Sequence, residues 1–377
     1  MKKLYIMVMF MTMSTLGFAG GYGGHGDHAM SGSQAGSGVH FYGRIYLGYD
    51  RSKESGTDGG SVAGMRDNGQ KSRLGIKFKE NLGGLSLIGN AEYKFDIGDG
   101  DATGDSVTCS ATLSDCRTFN LHIGNLGLMT PFGYVGAGTF ESPYKTMGMY
   151  DTNMDTAIAM NQHGANGKGS FGQAGTWESA ISYHGQVGPI TIAYMRGMSD
   201  KANGTTNKGD YSLGLGTKDL ILSGLELGWV RAHDKVTAAT TDGESNDKIY
   251  FSYKVMPGLG VFGTFEDMDI EGSNNFDNGN VGSTTSSVLD GGGDIDTFGL
   301  HYTMGTNMIQ ITHSKGNSRV AADMDYDTIT ISNRMQLSKA TDFTIGFARQ
   351  GFDGSGTGSG QNDKHKKTIA VGMTHSF

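Results

Sequence analysis

Residues 72–96 read SRLGIKFKENLGGLSLIGNAEYKFD, two runs separated by Asn81-Leu82-Gly83-Gly84. Before the break, Leu74, Ile76 and Phe78 alternate with Arg73, Lys77 and Lys79. After it, Leu85, Leu87, Ala91, Tyr93 and Phe95 alternate with Ser86, Asn90, Glu92 and Lys94. A period of two is that of a β-strand whose faces meet different surroundings. Charges in mid-run, such as Glu92 and Lys94, favour an inner face that is wet over one that is packed dry.

The same period begins at Val39, where Val39, Phe41, Ile45, Leu47 and Tyr49 alternate with His40, Tyr42, Arg44, Tyr46 and Asp50. Sixteen such runs can be marked along the chain. Their connections sort by parity. Those at 80–84, 127–131, 186–188, 218–221, 257–258, 304–306 and 337–340 are short. Those at 51–71, 97–116, 141–175, 198–208, 234–246, 269–293, 315–324 and 351–365 are long. A soluble β-sandwich has no reason to sort its loops this way, whereas transmembrane barrels have short periplasmic turns and long outer loops. Residues 39–377 are therefore expected to form an all-β, transmembrane antiparallel barrel of sixteen strands with both termini in the periplasm. The mean hydropathy of −0.34 does not oppose this, because only every second residue of such a wall meets lipid. The 63 glycines, 4 prolines and 10% aromatics suit many strands joined by flexible loops.

The first residues have a different purpose. Lys2 and Lys3, the apolar run Leu4 to Met13, and Gly17-Phe18-Ala19 form the pattern of a signal peptide over 1–19, cleaved after Ala19. Residues 20–38 hold almost nothing that builds a core and read as a flexible Gly/His-rich tether, in which His25 and His28 are either solvated or ligands for a transition metal. Loss of the two signal lysines leaves a formal charge of −10, which argues against a nucleic-acid partner. Cys109 and Cys116, with six residues between them in an exported chain, read as one local disulfide in the second long loop. Asp267-Met-Asp269-Ile-Glu271-Gly272 begins like a calcium loop, but Asn278 stands where the bidentate Glu is needed, so an acidic loop tip is expected. No serine stands in a nucleophile elbow, and neither enzymatic activity, cofactor nor metal site is expected.

Several pieces resemble the general porins of Gram-negative bacteria. They are Phe41-Tyr42-Gly43-Arg44, Ser72 to Lys77, Glu80 to Leu85, Leu126 to Pro143, Leu337 to Thr341, and the ending Val371 to Phe377. The resemblance implies a sixteen-stranded barrel, a homotrimer, and a third long loop folded into the lumen. It also implies a basic cluster on the wall facing acids on that loop, and a terminal Phe377 read by the barrel assembly machinery. Carried over by position, the constriction wall is Arg44, Arg73, Asn120 and Thr139, the last two standing where the family is basic. Asp151 and Asp155 are the candidate acids of the constriction loop. The function implied is a water-filled channel for passive diffusion of ions and small polar solutes, set in outer-membrane lipid and lipopolysaccharide. The thin basic cluster and the acidic net charge suggest a modest cation preference. The alternatives are a substrate-selective channel, or a recognition or adhesin barrel with a plugged lumen. The processed protein is expected to begin at Gly20 and to fractionate with outer membranes. Intact-mass measurement of the membrane-extracted chain tests this, and a retained Met1 would refute it.

Overall fold

In the computed structural model the described residues are 37–54, 61–66, 72–95, 97, 119–153, 156–159, 175–198, 210–234, 244–269, 293–318, 325–353 and 364–377. The signal segment, the tether up to residue 36, Cys109, Cys116, Asp155, residues 270–278 and the glycine run 354–360 lie outside them.

Seventeen strands follow in order. They are β1 (Gly38–Glu54), β2 (Val62–Arg66), β3 (Arg73–Asn81), β4 (Ser86–Lys94), β5 (Asn120–Thr130) and β6 (Gly133–Glu141). After a one-turn helix, α1 (Pro143–Thr146), come β7 (Thr176–Val187), β8 (Ile190–Gly197), β9 (Tyr211–Lys218), β10 (Leu225–Asp234) and β11 (Glu244–Met256). The last six are β12 (Leu259–Asp269), β13 (Gly293–Met304), β14 (Asn307–Ser318), β15 (Asp325–Gln336), β16 (Thr341–Asp353) and β17 (Lys364–Ser376). All pair antiparallel with their neighbours, and β17 pairs with β1 from Arg44↔Ser376 to Glu54↔Lys366, so the sheet closes.

β2 and β3 occupy one position in the wall. Residues 38–44 of β1 pair with β3, and residues 48–52 pair with β2. At the break, the Ser72 hydroxyl accepts from Tyr46 N at 3.0 Å and lies 3.4 Å from Tyr46 O, taking the place of a ladder partner. The barrel is thus sixteen-stranded, as the alternation predicts. The difference lies in residues 51–71, read as loop. There β1 runs on to Glu54 and β2 returns, because Arg51, Ser52 and Lys53 keep the strand period without any apolar residue to reveal it.

The outer surface is apolar and exposed, including Phe41, Ile45, Leu47, Ile345, Ile369 and Met373. The inner face carries buried polar side chains such as Thr312, Ser314, Thr328, Thr330 and Ser332. Many inner glycines lie under rings: Tyr46 covers Gly48 and Gly372, Tyr134 covers Gly127 and Gly136, and Phe262 covers Gly299. A Cβ at any of these would collide with the ring or the neighbouring backbone.

Closure ends on Phe377. Its N–H donates to Gly43 O at 2.9 Å and its carbonyl accepts from Gly43 N at 3.0 Å. Its ring lies over Gly43, where an added Cβ would come within 2.5 Å of it. Gly43→Val and deletion of Phe377 should each lower the yield of folded barrel severalfold. Gly84→Ala, at a turn position with open space around it, should not. Mobility of unheated samples on denaturing gels measures the folded fraction, and equal yields would refute the role of the seam.

Candidate functional site

The third long connection leaves β6 at Glu141 and turns inward. Ser142 caps α1, its hydroxyl accepting from Lys145 N at 3.1 Å, and Pro143 fits the first turn because it has no N–H to satisfy. The described loop residues from Ser142 to Ala159 are almost all buried, although they belong to no wall strand. Their partners show where they run.

Tyr144 N donates to Ser212 Oγ of β9 at 3.1 Å, and its hydroxyl donates to Glu266 of β12 at 2.5 Å. Lys248 of β11 donates to the Tyr144 carbonyl and stands 4.6 Å from the centre of its ring. Lys248 and Glu266 face each other in the β11–β12 register and both are buried, each held by the loop: Lys248 on the Tyr144 carbonyl, Glu266 on its hydroxyl. Burial, with the Glu266 carboxylate beside it, holds the Tyr144 phenol well above its ordinary pKa, so the ring keeps its proton and donates. Further along, Gln310 of β14 donates to Tyr150 O at 2.7 Å and accepts from Thr152 N at 3.0 Å and Asn153 Nδ2 at 3.4 Å. The Tyr150 ring lies 5.1 Å from Phe262 and 6.4 Å from Tyr250. Ile158 packs against Ala348 of β16 and Ala370 of β17. The loop therefore crosses the lumen and is fixed along the inner face from β9 to β17.

The other arc, β1 to β5, carries ions. Arg44, Arg73, Lys94 and Asn120 stand side by side on consecutive wall strands: Arg44 pairs with Arg73, Arg73 with Lys94, and Lys94 with Asn120. Arg73 meets Glu92 at 3.3 Å. Glu92 also accepts from Tyr42 at 2.8 Å and lies 2.6 Å from His122 Nδ1. The far ring nitrogen of His122 is 3.6 Å from Glu141, which pairs with Lys145 of α1. Two ion pairs, Arg73–Glu92 and Glu141–Lys145, are thus joined through the His122 ring from the wall to the root of the loop. Lys77 sits 4.6 Å above the Tyr42 ring, and Tyr42 also donates to Asn90 at 3.0 Å.

The structure brings Arg44, Arg73 and Asn120 into one row and puts Thr139 on β6, buried, its carbonyl accepting from Asn125 at 3.3 Å. Asp151 lies in the loop but is 1% exposed, and its carboxylate accepts from Asn153 N at 2.8 Å. The positional reading did not select Lys94, Glu92, His122, Glu141 or Lys145. Lys94 and Glu92 were signalled by strand parity, which already put them on the inner face. The anchors Tyr144, Lys248, Glu266 and Gln310 had no such signal. Among the described residues no group of three or more His, Cys, Asp or Glu is placed to hold a metal.

A family described as Gram-negative porin matches residues 28–355. Nothing matches among curated proteins. Many solved structures are similar in fold, among them three porins and channels. The anion-selective porin from Comamonas acidovorans has a TM-score of 0.66 at 18% identity, over 90% of this chain and 100% of that one. OmpF of Salmonella typhi, in complex with daunomycin, has 0.66 at 13%, over 91% and 98%. The outer membrane channel DcaP of Acinetobacter baumannii has 0.62 at 12%, over 92% and 99%.

Removing one member of the Lys248–Glu266 pair leaves a buried charge without its partner. Glu266→Gln should therefore lower stability by about 3–5 kcal/mol, and the double change Lys248→Met/Glu266→Met by much less. Urea unfolding of the protein in micelles compares the two. Equal losses would show that the pair does not hold the loop.

Proposed function

The chain belongs to the Gram-negative porin family, an outer-membrane channel for small solutes, and we propose that its constriction is the gap between the anchored loop and the Arg44–Arg73–Lys94 row. Solutes cross by passive diffusion through water. The loop, seated on β9 to β17, sets the width, and the row sets the field.

The cation preference expected from net charge fits these placements poorly. Charges far from the narrow part are screened within a Debye length of about 8 Å at physiological salt, so the local residues outweigh the overall −10. Locally, Asp50 is 5%, Glu92 8% and Asp151 1% exposed, and the Arg73 side chain is as covered as that of Glu92. Arg44, Lys77 and Lys94 are half-buried, as is the acid Glu141, which is paired with Lys145. Half-buried cations outnumber half-buried acids, so we infer a weak anion preference. The similarity to a porin described as anion-selective points the same way. The single observation that carries the reading is the basic row in register across three wall strands.

Assembly as a homotrimer, delivery by the barrel assembly machinery and a cleaved signal peptide complete the proposal, resting on family membership and the N-terminal pattern. Planar-bilayer recording tests the channel itself: stable open steps are expected, and a silent barrel would favour a plugged receptor. The reversal potential in a potassium chloride gradient should indicate anions. It should move toward cations in Arg44→Gln/Arg73→Gln/Lys94→Gln and stay unchanged in Asp151→Asn. Cation preference of the unaltered protein, or indifference to the triple change, would overturn the selectivity.

A further inference from the structure

One of the side chains that seat the constriction loop carries an oxidisable sulfur. Met147 follows α1, its N–H donating to Pro143 O at 2.9 Å, and its side chain lies against β9. There the sulfur stands where a Cβ would be at Gly214, and the methyl group is 3.1 Å from that point and 3.3 Å from the equivalent one at Gly216. The thioether packs against both apolar groups of the seat, Tyr150–Tyr250–Phe262 and Tyr144–Val230–Ala232. An unbranched, polarisable chain suits so narrow a slot. Met147 is only half-buried, unlike Met195 on the inner face of β8, which is 0% exposed. Since the loop stands in the lumen, a small solute in the passage reaches Met147 and does not reach Met195.

The slot accepts an apolar group and offers little to a polar one. Gly214 is paired with Ala193 of β8 and Val230 of β10, and Gly216 with Thr191 and Gly228, so their backbone N–H and C=O groups are engaged within the wall. An oxygen on the Met147 sulfur would give up water there without a backbone donor in return. It would also enlarge a group for which the glycines leave just enough room.

We propose that Met147 is an oxidation site that couples the width of the channel to oxygen-transferring oxidants, small polar solutes of the class the channel admits. Hypochlorous acid is the probe. In net terms its oxygen forms the S=O bond, the O–Cl bond breaks, chloride leaves and the hydroxyl proton passes to water; sulfur loses two electrons and chlorine gains them. The sulfoxide leaves the slot, the loop between α1 and Tyr150 lifts off β9 and β10 toward the centre of the lumen, and the passage narrows. Reduction of the sulfoxide restores the seat. The narrowing rests on the channel reading; the modification and the unseating do not.

The test uses the full-length, membrane-extracted protein in detergent micelles, treated with a small molar excess of hypochlorous acid. Peptide mass mapping reads the sulfoxide at Met147. Hydrogen exchange reads the amides of Tyr144 and Thr152, whose N–H groups donate to Ser212 and Gln310 on either side of it. Oxidation should speed exchange at both by about tenfold or more. In planar bilayers it should lower single-channel conductance by roughly half, and methionine sulfoxide reductases of both stereospecificities should reverse both effects. Met147→Leu, compared with its own untreated sample, should lose the response, and Met149→Leu should keep it. If Met147→Leu does not fold, the match between sulfoxide at Met147 and exchange across a series of oxidant doses decides on the unaltered protein. A thioether intact at Met147 while the exposed Met65 and Met198 are oxidised would overturn the proposal. So would sulfoxide at Met147 without faster exchange, or a rise in conductance. A barrel silent before treatment counts against the channel reading alone, because mapping and exchange need no conduction.

Discussion

A backbone N–H or C=O that faces hydrocarbon without a partner costs several kcal/mol, so a sheet in lipid must have no edge. In this chain that requirement falls on β1, which meets β17 along one side and both β2 and β3 along the other. Two features repair what this arrangement would leave open. The Ser72 hydroxyl takes up Tyr46 where β2 gives way to β3, and the Phe377 backbone completes the ladder at Gly43. The first residues of the wall cannot be satisfied until the last are in place, so closure is a long-range event on which every other strand's exposure to lipid depends.

Closure creates a wet interior, and two different kinds of polar residue share it. On the β9-to-β17 arc, Lys248, Glu266 and Gln310 are spent on holding the loop and are hidden from solutes. On the β1-to-β5 arc, Arg44, Lys77 and Lys94 are half-buried, and Arg73 is held against Glu92. The connected side chains Arg73–Glu92–His122–Glu141–Lys145 tie the loop's root to the second arc, so the width of the passage and the position of its charges are set by one connected structure. A loop held at only one end would let the field fluctuate with the width.

The alternation about Asn81–Gly84 and the sorting of loops by length made the barrel legible, because lipid on one face and water on the other impose a period that survives in every strand. β2 escaped because beyond Tyr49 the run Arg51-Ser52-Lys53-Glu54 carries no apolar residue, so the period lost its contrast. Arg44 and Arg73 could be placed from a motif, and Glu92 and Lys94 from parity. What parity does not tell is which acids are withdrawn: Asp151 looks like a pore acid until its carboxylate is found turned onto Asn153 N. The loop anchors were illegible for a related reason. Tyr144–Glu266 and Thr152–Gln310 join residues 122 and 158 positions apart, and no local pattern specifies such a meeting.

The abundance of glycine takes on another meaning in the structure. As composition it suggested flexible loops, yet many glycines stand in mid-strand on the inner face, where they weaken a strand unless something fills the gap. Rings fill it: Tyr250 lies over Gly216 and Gly228, and Met147 of the loop reaches into the space at Gly214. The side chain of Ile158 occupies the place a Cβ would take at Gly346. A wall of alanines or valines would push the loop toward the centre of the lumen by the thickness of those side chains and narrow or block the passage. Glycine on the β9, β10 and β16 walls therefore recesses the loop, and the rings and apolar side chains laid into the recess restore the packing that glycine gives up. The same substitution that would strengthen each strand alone would close the channel that the strands together enclose.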